Sequence, residues 1–273
     1  MGALHKGHGA LLDQARRRCS VVIASIFVNP IQAHQKSDYG GYPRVFEDDV
    51  LLCTARGVDY IFAPPDDEMY PEPQRVFVEV EELSEHQCGR TRPGHFRGVA
   101  TVVLKLFHIM RPQRALFGEK DYQQLAIVRR LLRDLNVPIE VVGVPTMRES
   151  DGLAMSSRNR RLTLRERTFA PCLYKALLAA RQAIASGERN TAAVKWRVAE
   201  MLHRVPGITL EYFDLVDPDT IRPVDVVQAP VRAPLAAWIG KTRLIDNVLC
   251  EPAGLPIEDS KIIQQFPSAN KVI

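Results

Sequence analysis

Val21-Val-Ile-Ala-Ser-Ile-Phe-Val28, a continuous apolar run that is β-branched at both ends, decides the class of fold. Such a run predicts a strand buried on both faces of a parallel sheet, because only a sheet covered by helices on both sides removes both sets of alternating side chains from water. Asn29-Pro30 stops it. Outward from this strand, Glu47, Asp48 and Asp49 precede Val50, Leu51 and Leu52, which is the charge order of a helix N-terminus, and Gly57 closes that helix before a short strand from Val58 to Phe62. Val102, Val103, Leu106, Phe107 and Met110 repeat at near-helical spacing up to Pro112, and Ala115-Leu-Phe117 reads as the next strand. Leu125, Val128, Leu131, Leu132 and Leu135 then form one stripe within 122–136, followed by a strand from Ile139 to Val144. The strand–helix alternation predicts an α/β fold with a doubly wound parallel sheet and a ligand at the carboxyl ends of its strands.

The texture turns polar between Arg148 and Leu162, predicting a link from a first domain over 1–150 to a second over 151–250. There Thr163-Leu-Arg-Glu166 has the form of a capping box, opening a helix that runs to Ser186 and ends at Gly187. A second helix starts at Thr191 and stops near Pro206, and strands follow over Thr209–Val216, Leu235–Ile239 and Arg243–Leu249, so a smaller α+β domain is expected. Residues 251–273, with Pro252, Pro256 and Pro267, carry little pattern and read as a tail. A chain of 273 residues with 46% hydrophobic and 25% charged side chains has ample material for a core, which argues against disorder. A formal charge of +4, with dispersed basic residues, argues against nucleic-acid binding. No stretch approaches the roughly 20 apolar residues of a membrane span, and the N-terminus has no signal-peptide core, so a cytoplasmic location is expected. Cys19, Cys53, Cys88, Cys172 and Cys250 are scattered and form no C-x-x-C pair, as expected of reduced thiols.

Five constellations carry possible chemistry. His5-Lys-Gly-His8 precedes a helix-compatible run, so two imidazoles and a permissive glycine stand at a helix N-terminus, suited to phosphate oxygens; an H-x-x-H metal pair or two surface histidines are the alternatives. In Phe117-Gly-Glu-Lys-Asp-Tyr-Gln-Gln124, Gly118 yields space for a nucleotide, Lys120 offers a compact charge, and Gln124 follows one turn later; an ordinary βα loop is equally compatible. Met155-Ser-Ser-Arg158 groups hydroxyls and a guanidinium for a polyphosphate, or is a serine-rich linker. Asn29 and Gln32, just past the buried strand, offer uncharged amides to a small organic acid, or merely shape an Asn-Pro turn. Asp48 is a candidate magnesium contact, or only a helix N-terminal charge.

Taken in this fixed order, with Tyr42-Pro-Arg44, Pro93-Gly-His-Phe-Arg-Gly98, Thr101-Val-Val-Leu-Lys-Leu106, and Val144-Pro-Thr-Met-Arg-Glu149 through Asp151 to Asn159, these segments resemble the pantothenate synthetase (pantoate:beta-alanine ligase) family over residues 1 to about 250. The resemblance implies a Rossmann-like nucleotidyltransferase domain with a small C-terminal lid domain, in a homodimer. It implies ATP and magnesium, with pantoate and beta-alanine as the other substrates and a pantoyl adenylate as intermediate. Carried over by residue, Met1, Gly2, Ala3, Leu4, His5, Lys6, Gly7 and His8 line the ATP site with His8 catalytic and His5 beside it. Gly118, Glu119, Lys120, Asp121, Met147, Met155, Ser156, Ser157 and Arg158 bind the nucleotide and its phosphates, and Gln32, Gln124 and Asn29 hold pantoate or beta-alanine. His5, His8, Lys120 and Arg158 are expected to be the cations that offset charge when a carboxylate attacks phosphorus.

Family members carry an upstream segment with a helix and the central strand, whereas this sequence begins at the motif's methionine, which predicts unpaired sheet edges. Ala33-His34 and Arg161 stand where the family has phenylalanine and tyrosine, which bears on substrate affinity rather than reaction type. Two other readings predict different behaviour. Another nucleotidyltransferase of this fold would act on a different acid, and a non-catalytic nucleotide-binding descendant would hold ATP without releasing pyrophosphate.

Overall fold

The computed structural model describes residues 2–32, 40 and 45–253. Met1, Ala33-His34, the Tyr42-Pro-Arg44 motif and the tail from residue 254 onward lie outside the described residues. The first part runs α1 (Lys6–Arg18), β1 (Ile23–Ser25), α2 (Phe46–Ala55), β2 (Tyr60–Phe62), α3 (Asp66–Met69), α4 (Gln87–Thr91), α5 (His95–Met110), β3 (Arg114–Gly118), α6 (Tyr122–Asp134) and β4 (Glu140–Val144). The remainder runs α7 (Leu164–Phe169), α8 (Cys172–Ala185), α9 (Thr191–His203), β5 (Ile208–Phe213), β6 (Val231–Ile239) and β7 (Thr242–Cys250). The fold is α/β, as expected. Its parallel strands form two separate ladders among the described residues: β1 beside β2, and β3 beside β4 in register from Arg114↔Glu140 to Gly118↔Val144. β5, β6 and β7 form an antiparallel sheet in sequence order.

Three expectations are corrected. Only Ile23–Ser25 of the apolar run 21–28 enters a ladder, and it is not covered on both faces: Val22 and Ala24 are buried, whereas Val21 and Ile23 are 55% and 42% exposed. Leu4, Leu12 and Cys53 pack on the Ala24 face, and a strand stays dry only on faces that other elements cover. The helix expected from Thr163 to Ser186 is two helices. Its capping box is present, with the Thr163 hydroxyl accepting from Glu166 N–H and the Glu166 carboxylate accepting from Thr163 N–H. Pro171, which has no N–H, separates α7 from α8 and provides the carbonyl that accepts from Lys175 N–H in the new helix. Finally, Leu135 leaves the apolar stripe of α6: it is the C-cap residue and is 49% exposed.

Two large apolar clusters organise the rest. One gathers the inner faces of α5 and α6, with Val99, Ala100, Leu125, Ile127 and Val128 nearly or fully buried, and receives Ile221 from the C-terminal part. The other packs α8 and α9 on the antiparallel sheet, burying Leu173, Leu177, Ile184, Val198, Leu235 and Ile239. β6 begins at Val231, four residues before the expected start, because Pro234 sits inside it opposite Asn247. Proline donates no ladder hydrogen bond and reads in sequence as a stop. The hairpin to β7 turns through Gly240, whose positive φ of 56° suits glycine; a Cβ there would stand 1.9 Å from the Glu166 carboxylate.

Candidate active site

The site is assembled where α1 begins and where the turn after β3 meets the antiparallel sheet. Ahead of α1, the buried Asp49 carboxylate accepts from Ala3 N–H at 2.9 Å and Leu4 N–H at 2.5 Å, fixing the segment that delivers His5. His5 is the N-cap, and its Nδ1 accepts from Gly7 N–H at 3.1 Å, while His8 Nδ1 accepts from His5 N–H at 3.2 Å. A Cβ on Gly7 would stand 2.8 Å from the His5 ring and 3.5 Å from Met155, so glycine lets the cap and the 147–155 segment close together. With Nδ1 of each ring accepting, the proton of each neutral imidazole lies on Nε2. Burial, then the charges of Lys120 and Arg160, lowers the pKa of His5; burial, then His5 itself, lowers His8 to about 3. Burial thus opposes charge on both rings, and Lys120 is a cation whose field reaches both. Lys6 is exposed.

Gly118 to Asp121 forms the turn between β3 and α6. A Cβ on Gly118 meets no atom within 4 Å, so open space lies over it. The turn is held from the antiparallel sheet: Asn247 Nδ2 donates to Glu119 O at 2.9 Å and to Lys120 O at 3.0 Å. Arg232 donates to Asn247 Oδ1 at 3.1 Å, pairs with the Glu119 carboxylate at 3.2 Å, and lies over the Tyr122 ring at 3.9 Å. Asp246 receives two bonds from Arg148, at 2.6 and 2.9 Å, and Arg148 stacks on Tyr174. Lys120 Nζ itself has no hydrogen-bond or ion-pair partner among the described residues, which leaves its charge for a ligand.

One cleft is lined by Lys120, Asp121, Gln124 and Arg158 together with His95. A second, lined by Gln32, Arg97 and Gly98, shares His95 with it. Gly98 allows α5 to approach the Pro30–Gln32 turn backbone to backbone, since a Cβ there would lie 2.5 Å from Ile31 O. His95 Nδ1 donates to Gln32 O at 2.9 Å, and burial followed by Arg92 lowers its pKa to about 4. Gln32 is thus held at the edge of the main cleft. Met155 N–H donates to Met147 O at 2.9 Å, and the Ser156 hydroxyl caps the turn Ser157–Arg161 by accepting from Arg158 N–H, presenting Arg158 to the cleft.

Asn29 is buried, with Nδ2 donating to Gln32 Oε1 and Gly98 O and Oδ1 accepting from Tyr70 OH at 2.7 Å, so its amide holds the turn. Asp48 is exposed on α2 while its neighbour Asp49 faces inward. Two carboxylates line the cleft: Asp246, which Arg148 engages, and Asp121, whose charge reaches His5, His8 and His95. Sequence reasoning missed Asn247, Arg232, Asp49 and His95 as parts of the site. The available signals were Asp246-Asn247, two polar residues between Ile245 and Val248, and the Pro93-Gly-His-Phe-Arg-Gly98 motif that contains His95.

Comparison with known proteins identifies relatives of the chain. A model of the pantoate-beta-alanine ligase family matches residues 1–249. The chain is 48% identical over 251 residues to a pantothenate synthetase of Moorella thermoacetica, covering 92% of this chain and 89% of that protein. It is 50% identical over 249 residues to one of Acidobacterium capsulatum, covering 91% and 83%. Among solved structures, a pantothenate synthetase of Thermus thermophilus superposes with a TM-score of 0.88 at 49% identity, covering 91% of this chain and 90% of that one. A Francisella tularensis pantoate-beta-alanine ligase, complexed with beta-gamma ATP and beta-alanine, superposes with a TM-score of 0.76 at 36% identity, covering 91% and 87%. By its motifs, its fold and this match over nearly its whole length, the chain belongs to the pantoate-beta-alanine ligase family.

Proposed function

We propose that this chain condenses pantoate with beta-alanine at the expense of ATP, through a pantoyl adenylate formed in the cleft lined by Lys120, Gln124 and Arg158. The observation that carries the reading is a cleft lined by Lys120 and Arg158, where Lys120 has no partner among the described residues and its charge reaches His5 and His8 at the N-terminus of α1. That is a donor set for polyphosphate. In the first step the pantoate carboxylate attacks the α-phosphorus and pyrophosphate leaves. Lys120 and Arg158 offset the charge that accumulates, while His5 and His8 donate hydrogen bonds without needing to be protonated. In the second step the beta-alanine amine attacks the acyl carbon, the amide forms, and AMP departs with the electron pair. No enzyme nucleophile is required, because the mixed anhydride is already activated.

Gln32, held by Asn29 and His95, and Gln124 orient pantoate; Asn29 acts through Gln32. Magnesium carried on ATP would neutralise phosphate charge, and Asp121 is the carboxylate suited to hold it. Met147 and Met155 flank the nucleotide beside Gly7. The same reading places the 151–250 part as a cover over the nucleotide turn and includes a homodimer in the cytoplasm, checked by light scattering and by fractionation. No helix among the described residues is long and apolar enough to cross a membrane.

The test is pyrophosphate release by the purified chain with ATP, magnesium and pantoate, with and without beta-alanine. Release that needs pantoate, with pantothenate made only when beta-alanine is present, is expected. Release with other acids but not pantoate would favour a different nucleotidyltransferase, and ATP binding without release would favour a non-catalytic protein.

A further inference from the structure

Gln87 has no role in the site described so far. It opens α4, is 2% exposed and lines the same cleft as Lys120 and Gln124. Its Nε2 is fully buried and lacks any hydrogen-bond partner among the described residues. Two features show that this placement is imposed. Gln87 has a φ of +48°, a left-handed conformation that costs a non-glycine residue energy. The turn before it is pinned by the buried Gln123, whose Oε1 accepts from Cys88 N–H and whose Nε2 donates to Leu83 O and His86 O. Gln123 is thus a satisfied amide that builds the wall, and Gln87 is an unsatisfied one in that wall. An amide donor held out of water without an acceptor is unfavourable unless something that enters the cleft accepts from it.

We propose that Gln87 is a binding residue of this enzyme, whose Nε2–H donates to the carboxylate of one of the two small acid substrates. An anionic oxygen is the acceptor that best compensates a buried neutral donor, and both pantoate and beta-alanine bring one. The proposal rests on the function assigned above. The variants Gln87→Leu, close in volume, and Gln87→Glu, which replaces the donor by a negative charge, test it. For Gln87→Leu the melting temperature is expected to stay level or rise, since no protein partner is lost. KM for either pantoate or beta-alanine is expected to rise about tenfold while KM for ATP stays within about twofold, and the substrate affected identifies the carboxylate. Gln87→Glu is expected to weaken the same substrate further. Unchanged KM values for both acids, a lowered melting temperature in Gln87→Leu, or tighter binding by Gln87→Glu would each overturn the proposal. Calorimetric titration of pantoate and of beta-alanine into the wild type and Gln87→Leu separates the two assignments. Without turnover, binding of an acid that weakens in Gln87→Leu retains Gln87 and rejects only the ligase reading; acid binding that does not weaken rejects the proposal, and a wild type that binds neither acid overturns both.

Discussion

The two halves of the molecule are built to different standards. The antiparallel sheet pairs β6 with β7 over nine residues and is covered by α8 and α9, so that Leu173, Leu177, Leu235 and Ile239 are at most 1% exposed. The parallel ladders are three and five residues long, and one face of β1 is open. Yet most of the reactive groups, among them His5, His8, His95, Lys120 and Gln124, belong to the thinner half. Precision comes from the other half: Asn247 and Arg232 reach from the well-packed sheet and hold the turn that carries Lys120. A short strand need not fix its own loop when a stiffer neighbour donates to the loop's carbonyls.

The largest expected effect comes from removing the charge and leaving the frame. Lys120→Ala should lower pantoate-dependent pyrophosphate release by about a thousandfold, roughly 4 kcal/mol of transition-state stabilisation, with the melting temperature unchanged. Activity near wild type would place the chemistry elsewhere.

Acid should strike the thinner half next. His8 and His95 have folded pKa values of about 3 and about 4, below the ordinary value of 6.5. As pH falls below 6.5 the unfolded chain therefore takes up protons that the folded chain refuses, and stability drops. The slope is about 1.4 kcal/mol per pH unit for each group, so of order 4 kcal/mol is lost between pH 7 and 5. Urea titrations at the two pH values measure this, and His8→Gln should flatten the slope by about half. A pH-independent midpoint would mean that the imidazoles are not buried as described.

Smaller effects separate neighbours on α2. Asp49→Ala leaves two buried N–H groups without an acceptor and should cost about 3 kcal/mol of stability, whereas Asp48→Ala should stay within about 0.5 kcal/mol and leave the magnesium dependence of turnover unchanged. A raised magnesium requirement in Asp48→Ala would restore the carboxylate to the metal.

Local pattern made much of this legible. The helix stripes, the Thr163 capping box and the proline and glycine stops are statements about neighbours in sequence, and they appear in the structure. The proposed ligand groups at His5, Lys120 and Arg158 were legible because each stands in a short motif at an element's end. What escaped depends on partners far along the chain. Asn247 meets Lys120 across 127 positions, and no window of sequence contains both. Asn29 looked like a free amide because Tyr70 and Gly98, which occupy it, lie 41 and 69 residues away. The lowered pKa of His5 and His8 could not be read from the motif because burial, its first cause, is a property of the packed site.

Asn247 acts through Lys120 in this site, and a double-mutant cycle on pantoate-dependent pyrophosphate release tests that link. Alone, Asn247→Leu should lower kcat/KM by about tenfold, roughly 1.4 kcal/mol. Combined with Lys120→Ala it should remove little more than Lys120→Ala does by itself, because a turn without its lysine has no charge to position. Full additivity of the two losses would contradict the claim and make Asn247 a contributor independent of that turn.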